Sequence, residues 1–418
     1  MGGSGGQLDF GGPQAYADFE TVLNWAIANT AVDTSEIGAV GMSLGAGVAL
    51  IAAGQDSRIK TVAAVSPWAT LSGMLVPNGT LRATTLAALL AGQPLTAPWA
   101  AVRTDVTTHP QHLADAVAAL NQLSGARSPA TYLASLNSRQ VPVMLAGTLE
   151  DSVTPASDLL QLYGAITGPK RLYLLQGEHG GVLSAAANAT NGPWYGAVYW
   201  CLHYLLGASV PAQYLSPAVS ASDNHNVQQQ LSAWPGTPGP ARQITSDGVA
   251  SLTTNGQSTH WKGTIPAGVA TPADSPNFSS STAPYQPPTL TMSMLVKGHQ
   301  AAWSEPVEPA TREICNSPTL SFGLSATAST TTLFAYLYDV TPKGVGGLLS
   351  VTPDTLTGLS TTPLQVNLTL SPICDSIAAG NHLVLVIDTV DAHFANSSVS
   401  GTKVYFTSAA GMPAVFRD

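Results

Sequence analysis

The most evident shortage in this chain of 418 residues is charge. Only 9% of the residues are Asp, Glu, Lys or Arg, against roughly 25% in average soluble proteins. The net charge of −9 and the absence of a basic stripe argue against a nucleic-acid partner. No apolar run reaches the roughly 18 residues of a membrane helix, so no membrane association is predicted. Threonine, serine, glycine and asparagine replace the charges, which is typical of exported proteins.

Cysteine is also scarce, with three in the chain. Cys315 and Cys374 lie in the β-rich second half, each beside a turn that contains proline, and could bridge two strands. Such a disulfide would imply an oxidising compartment. Cys201 falls in a helical run and is expected to be a small buried hydrophobe. The glycine-rich start, residues 1–6, shows no signal peptide, so a secreted or cell-envelope location is considered but not assigned.

The chain lacks a pattern that would hold a metal or another cofactor, and none is predicted. His109 and His112 have the i, i+3 spacing of helical metal ligands. No cysteine or carboxylate cluster accompanies them, so an exposed helix face is the better interpretation. His203 lies in the run 194–206 and is expected to be a packed or interfacial helix residue.

The most informative segment that is present is Gly41-Met42-Ser43-Leu44-Gly45. It joins a predicted buried strand, Ile37 to Met42, to a predicted helix, Leu44 to Ala53, which Gly54 should close. A serine on such a sharp turn is a candidate nucleophile, because flanking glycines let the backbone pack closely. The N–H of Leu44, at the helix N-terminus, is the predicted first donor to an oxyanion.

A serine hydroxyl needs a base, and that base needs a carboxylate to orient it. Asp151 follows the predicted strand Val141 to Gly147, and His179 follows the predicted strand Lys170 to Leu175. The carboxyl ends of strands are where open α/β sheets carry their sites. Ser43, Asp151 and His179 therefore form a candidate catalytic triad, in the chain order of α/β-hydrolases.

Two neighbouring carboxylates are alternatives for the acid. Glu150 is adjacent to Asp151, but Asp151 is favoured because it lies at the loop tip, with Glu150 as a solvated neighbour. Glu178 could orient a group near His179, although a surface carboxylate is the preferred interpretation. Either glutamate could also hold a substrate amine.

Three regions follow from the pattern of helices and strands. Residues 1–208 read as an α/β domain that begins with an amphipathic helix, Pro13 to Asn29, whose apolar face includes Phe19 and Val22. A helical insertion at about 69–140 is too long for a plain connection and is interpreted as a cap over the site. Residues 209–242 are rich in Pro, Ser, Gln and Asn and are interpreted as a linker or surface strap.

Residues 243–418 are predicted to form an all-β domain. Apolar residues recur at every second position in several short runs separated by turn residues, which indicates an antiparallel sandwich or jelly roll. These positions are Leu290, Met292 and Met294; Leu320, Phe322 and Leu324; Phe334, Tyr336 and Tyr338; and Leu364, Val366, Leu368 and Leu370.

The serine motif, the placements of Asp151 and His179, the cap, and the β domain with its run 333–340 together resemble the Xaa-Pro dipeptidyl-peptidase and cocaine-esterase (CocE/NonD) group. Residues 4–9 are similar to the segment that shortly precedes the serine helix in that group. The resemblance covers nearly the whole chain. It implies a partial-sheet α/β-hydrolase domain with a cap and a C-terminal jelly roll. It also implies hydrolysis of peptide, amide or ester acyl bonds through an acyl-enzyme, with Ser43 as nucleophile, His179 as general base and acid, and Asp151 as its orienter.

The chain departs from the group's pattern before Ser43. Several strands precede the serine turn in α/β-hydrolases, whereas one helix and a glycine-rich start precede it here. We therefore expect an N-terminally truncated chain. The resemblance implies a tyrosine hydroxyl from the earlier region as second oxyanion donor, and no residue here matches it by position.

Function is consequently predicted to be serine hydrolysis of a small-molecule or peptide acyl substrate, and a homo-oligomer is considered. Two alternatives stay open at this point. One is a truncated or inactive member that binds without turnover. The other is a glycan- or surface-binding protein that uses the β domain.

Overall fold

A computed structural model of the protein describes residues 5–108, 113–184, 187–236, 239–246, 251–253, 287–295, 300–399, 401–407 and 415–418. The α-helices in these ranges are α1 Pro13–Asn29, α2 Leu44–Gln55, α3 Leu71–Leu75, α4 Ala83–Leu90, α5 Ala97–Thr107, α6 Leu113–Ser124, α7 Leu133–Ser138, α8 Ala156–Ala165 and α9 Pro193–Leu206. No helix of this described part combines the length and the apolar character that a membrane crossing requires.

The strands of the N-terminal half are β1 Ile37–Met42, β2 Ile59–Val65, β3 Val143–Thr148, β4 Lys170–Leu175, β5 Val219–Ser222 and β6 Gln228–Leu231. The later strands are β7 Arg242–Gln243, β8 Thr245–Ser246, β9 Ser251–Thr253, β10 Thr289–Thr291, β11 Gln300–Ser304, β12 Arg312–Asn316, β13 Thr319–Ala326, β14 Thr330–Val340, β15 Val345–Thr357, β16 Leu364–Thr369, β17 Ile373–Ile377, β18 His382–Asp388, β19 Lys403–Thr407 and β20 Val415–Arg417.

The first sheet places β1 to β6 side by side in chain order, with β1 to β5 parallel and β6 antiparallel. Its register brings the strand ends together, since Met42 lies opposite Val65 and Val65 lies opposite Ala146. Thr148 similarly lies opposite Leu175. The loops after β1, β3 and β4 therefore leave the sheet at one edge, where α/β proteins build their sites.

Helices cover both faces of this sheet, as a parallel sheet requires. On one face α2 contributes Leu50 and Ile51, which are 0% and 1% exposed, and on the other α9 contributes the buried Trp200. The prediction that Gly54 closes α2 is wrong, because α2 continues to Gln55. Gly54 instead allows close packing, since a Cβ atom there would overlap the side chain of Tyr132.

Helix α1 has the predicted bounds, and its predicted apolar face is half-buried. Phe19 packs partly against the core, and Leu23, Ala26 and Ile27 are half-buried, whereas Val22 is 66% exposed. The periodicity predicts which residues share a face. Burial of that face also requires a neighbouring element, and β1, which α1 precedes, is the edge strand of the described sheet.

The segment 209–242 contains more structure than the linker predicted for it. Its strands β5 and β6 extend the first sheet, and Val219 and Ala221 are fully buried in the core. Neither strand has a clear signal in the sequence, because each is four residues long and β6 consists mainly of glutamines.

Helices α3 to α7 occupy the stretch between β2 and β3 where the insertion was predicted. They bury a cluster of their own that includes Leu86, Trp99 and Leu120. The insertion also contacts the β-rich half: the Asn78 Nδ2 donates to the carbonyl of Pro353 at 3.0 Å, and further backbone hydrogen bonds join residues 81 and 84 to residues 393 and 395.

The C-terminal half is an antiparallel sandwich, as the alternating pattern predicted. One sheet has the order β10-β15-β14-β18-β11-β8, and the other has the order β7-β20-β13-β19-β9 with β16 paired to β13. Leu320, Phe322 and Leu324 point into the core between the sheets, as predicted. The run predicted to extend through Met292 and Met294 is shorter, because β10 ends at Thr291 and a 3-10 turn follows.

Strand β14 is longer and more deeply buried than simple alternation suggests. Leu333, Ala335 and Leu337 face the sandwich core. Phe334, Tyr336 and Tyr338 are also buried, in a second cluster on the outer face of the same sheet. Both faces of this strand are thus covered, which explains its near-continuous apolar sequence.

Cys315 and Cys374 form a disulfide that joins β12 to β17, which confirms that these two cysteines bridge two strands. The two residues lie directly opposite each other in the ribbon. Cys374 is fully buried and packs in the core of the first sheet. The bridge therefore fastens the β-rich half where it meets the α/β half.

Replacing Cys374 with Ser should lower the free energy of unfolding by about 2–4 kcal/mol, because the bridge closes a long loop in the unfolded chain. Denaturant unfolding with and without reductant measures the effect. Reductant should destabilise the unmodified protein and leave Cys374→Ser unchanged. Cys201→Ser, which replaces the free cysteine and keeps the disulfide, serves as the control. Equal stabilities of Cys374→Ser and the unmodified protein would contradict the prediction.

Candidate active site

Ser43 occupies the turn between β1 and α2, as the sequence predicts. Its φ of 52° and ψ of −121° lie in a region that residues other than glycine rarely adopt. Two kinds of hydrogen bond hold this strained backbone: the Ser43 N–H donates to the Val65 carbonyl at 2.8 Å, and the Ser43 carbonyl accepts from Ala46 and Gly47. Ser43 itself is only partly buried, so its hydroxyl can be approached.

The glycines around Ser43 have different roles. A Cβ atom on Gly41 would overlap the backbone of Gly45, and one on Gly47 would overlap the ring of Trp68. A Cβ atom on Gly45 would meet nothing within 4 Å. The expectation that both flanking glycines are required for packing is therefore met at Gly41 and is wrong at Gly45.

The structure brings the three predicted residues together in one chain of hydrogen bonds. The Nε2 of His179 lies 2.8 Å from the Oγ of Ser43. The Nδ1 of the same ring lies 2.9 Å from Oδ2 and 3.1 Å from Oδ1 of Asp151. His179 is 6% exposed and Asp151 is 4% exposed. A hydroxyl, an imidazole and a carboxylate thus contact each other in the order that acyl transfer by a serine would require.

The loop after β3 fixes the carboxylate of Asp151. Its Oδ1 accepts from the N–H groups of Val153 at 2.9 Å and Thr154 at 2.7 Å. Its Oδ2 accepts from the Thr154 hydroxyl at 2.9 Å. Sequence reasoning missed Thr154. The bond from the Val153 N–H is the common turn in which an aspartate side chain accepts from the backbone two residues on.

The electrostatics of the pair favour a charged aspartate. Burial alone would raise the pKa of Asp151, but His179 and the Thr154 donors outweigh it and hold the pKa below its usual value. Burial alone would lower the pKa of His179, but Asp151, and then Glu178, raise it above the usual value. The ring is therefore a stronger base than a free imidazole.

The two alternative carboxylates do not lie where the sequence suggested. Glu178, expected at the surface, is 6% exposed and contacts the loop of Asp151. Glu150, expected to be solvated, accepts a hydrogen bond from the Gly177 N–H, and burial raises its pKa well above the usual value. Neither contacts the ring of His179 in place of Asp151. Strand-end carboxylates give no sequence signal of burial, since burial depends on the packed loops.

The other histidines with a predicted role are away from this constellation. His203 is half-buried in α9, where its ring packs against Tyr204 at 4.7 Å between ring centres. His109 and His112 lie outside the described residues. Across the described residues, no group of three or more histidine, cysteine or acidic side chains has a geometry that could hold a metal.

A family model described as X-Pro dipeptidyl-peptidase (S15 family) matches residues 1–181, which include all three side chains of the hydrogen-bonded chain. The chain is therefore similar to the S15 family over residues 1–181. The match ends just after His179 and covers the α/β half up to β4. This similarity indicates a hydrolase of the peptidase or esterase type. No curated protein is similar enough to match the chain.

Solved structures show the same fold over nearly the whole chain. An aminopeptidase from a marine sediment archaeon, Thaumarchaeota archaeon, has a TM-score of 0.71 at 13% identity and is matched over 96% of this chain and 80% of its own. An α-amino acid ester hydrolase has a TM-score of 0.68 at 12% identity, over 96% and 79%. A CocE/NonD family hydrolase from Staphylococcus aureus has a TM-score of 0.64 at 12% identity, over 99% and 77%. At these identities the likeness establishes the fold alone.

The contrast between the two flanking glycines gives a test of the turn. Gly41→Ala should destabilise the protein by about 1–3 kcal/mol, because the methyl group would displace the backbone that holds Ser43. Gly45→Ala should change stability by less than about 1 kcal/mol, since the site is open and helical. Denaturant unfolding of both variants makes the comparison, and equal effects would contradict the steric explanation.

Proposed function

We propose that this protein is a serine hydrolase that cleaves acyl bonds through an acyl-enzyme. The observation that carries the proposal is the continuous set of hydrogen bonds from Ser43 through His179 to Asp151, with the last two residues buried. The match of residues 1–181 to the S15 family model supports it. Ser43 is the nucleophile, His179 is the general base and then the general acid, and Asp151 orients the ring.

In the first half of the reaction, the Ser43 Oγ attacks the acyl carbon while Nε2 of His179 takes its proton. The carbonyl oxygen of the substrate becomes an oxyanion. When the tetrahedral intermediate collapses, the bond to the leaving group breaks and His179 returns the proton to that group. Water then attacks the acyl-enzyme with His179 again as base, which releases the acid and restores the Ser43 hydroxyl.

The Leu44 backbone N–H is the proposed donor to the oxyanion. Leu44 is the first residue of α2, and N–H groups of a first helical turn have no carbonyl partner within the helix. The positive end of the helix dipole adds to the stabilisation of a negative charge there. Loss of one such donor typically reduces rates by about 10²–10³.

Esters, amides and peptides are the proposed substrate classes. The corresponding activities are those of an esterase, an acylase and a dipeptidyl-peptidase. These classes share one mechanism of acyl transfer and differ in the leaving group and in the contacts made to the acyl part. Of the two proteins of similar fold, one is named an α-amino acid ester hydrolase and the other an aminopeptidase, so their names cover the ester and the peptide class. Acyl transfer to a serine is thus common to all three classes, and kinetic comparison of substrates identifies the leaving group.

A fluorophosphonate probe tests the nucleophile. We expect stoichiometric labelling of the folded protein, loss of labelling in Ser43→Ala, and full labelling in Ser57→Ala, which replaces an exposed serine between α2 and β2. Ester hydrolysis should fall at least about 10⁴-fold in Ser43→Ala. Absence of labelling in a protein that is folded by circular dichroism would refute the proposal and favour binding without turnover.

Pre-steady-state kinetics test the acyl-enzyme. With p-nitrophenyl esters we expect a burst of nitrophenol equal to the enzyme concentration, because acylation by a good leaving group outpaces deacylation. A panel with an α-amino acid ester and an Xaa-Pro p-nitroanilide then ranks the leaving groups by kcat/KM. A labelled enzyme that turns over none of these acyl substrates would contradict the substrate proposal.

A further inference from the structure

A second carboxylate lies behind the hydrogen-bonded pair of His179 and Asp151. The Oε2 of Glu178 accepts from the Ser152 N–H at 3.1 Å, from the Ser152 hydroxyl at 2.8 Å and from the His179 N–H at 3.3 Å. Ser152 directly follows Asp151, and Glu178 directly precedes His179. One carboxylate oxygen therefore ties the loop after β3 to the loop after β4.

The other oxygen of Glu178 makes this carboxylate unusual. Oε1 is buried and has no hydrogen-bond partner among the described residues. A buried charged oxygen without a donor is costly, and burial, followed by the negative charge of Asp151, raises the pKa of Glu178 to about 7. The hydrogen bonds from Ser152 and His179 act in the opposite direction. Glu178 is thus held close to its point of ionisation.

Charged groups from several elements surround Glu178. On the loops these are Asp151, His179 and Glu150. The helical insertion contributes Arg82, whose Nη1 donates to the Ser152 carbonyl at 2.9 Å.

The β-rich half adds another acidic group on the far side of Arg82. Asp391 lines the same small cavity as Arg82 and Asp151. The charges of Asp151, Glu178 and Asp391 all favour the protonated form of Arg82. Ser152, which binds both Arg82 and Glu178, is therefore the point where the insertion contacts the two loops.

We propose that Glu178 is a positioning residue of the reaction proposed above: it holds the loop of His179 against the loop of Asp151, and its charge stabilises the imidazolium that forms at His179 during acyl transfer. The inference rests on that proposed function. A carboxylate shielded from water acts on a neighbouring cation more strongly than one at the surface. As pH falls through the pKa of Glu178, protonation removes this stabilisation.

The test is the pH dependence of kcat/KM for Glu178→Gln, measured with a p-nitrophenyl ester. The amide keeps an oxygen that accepts from Ser152 and His179 but carries no charge. Without that charge the His179 pKa should fall, so the acid limb should move to lower pH by about one unit. A weaker base also transfers protons less effectively, so the alkaline plateau should fall about 3- to 10-fold.

Asp354→Asn is the matched control. Asp354 is a half-buried carboxylate of β15 whose pKa is raised to about 6 by burial, and the described hydrogen bonds do not link it to the triad. This variant should leave the acid limb and the alkaline plateau of kcat/KM unchanged. A Glu178→Gln enzyme whose acid limb stays in place, or whose rate falls equally at all pH values, would overturn the proposal, since a merely structural role produces that result.

Ser152→Ala provides a second variant that keeps the charge and removes one donor to it. The pKa of Glu178 should then rise, so more of this residue is neutral over the acid limb. The His179 pKa should therefore fall, and the acid limb should move to lower pH, in the same direction as in Glu178→Gln but by a smaller amount. A shift to higher pH would overturn the proposal.

Fluorophosphonate labelling at pH 9 distinguishes failure of the role proposed for Glu178 from failure of the proposed function. Glu178→Gln should label and Ser43→Ala should not. Failure of the unmodified protein to label would refute the proposed function itself.

Discussion

The arrangement of the site depends on the buried hydrogen bonds between the ring of His179 and the carboxylate of Asp151. They join two loops that leave adjacent parallel strands, β3 and β4, at the same edge of the sheet. Burial of an unpaired charge is costly. Here the carboxylate and the basic ring stabilise each other, so each offsets the free-energy cost of burying the other. The orientation of the ring toward Ser43 follows from this pair.

The strained turn at Ser43 depends on the same sheet. Its φ of 52° is held by a hydrogen bond to the last residue of β2 and by the start of α2. The glycines around it are required for different steric reasons. A side chain on Gly41 would overlap the backbone of Gly45, and a side chain on Gly47 would overlap the ring of Trp68. A rigid β-α unit therefore presents the hydroxyl, whereas loops present the base and the acid.

Contacts from the helical insertion reach the site through Ser152. Arg82 and Thr85, from the helical insertion, both donate to the Ser152 carbonyl, and Arg82 also stacks on Phe394 of the β-rich half. The disulfide ribbon of β12 and β17 adds a second contact, because Gln176 donates to the Cys374 carbonyl at 2.8 Å. The loop that carries His179 is thus braced from two directions. This bracing is consistent with a site that needs fixed geometry.

The sequence by itself determined the elements whose signals are local. The bounds of α1, β1 and β4, the serine turn, and the order of Ser43, Asp151 and His179 all follow from periodicity, glycine placement and strand-end position. The tertiary structure alone decided what becomes buried. Glu178 and Glu150 were taken for solvated carboxylates, and β5 and β6 were taken for a linker. Burial depends on which distant segments pack against a residue, and no local pattern encodes that.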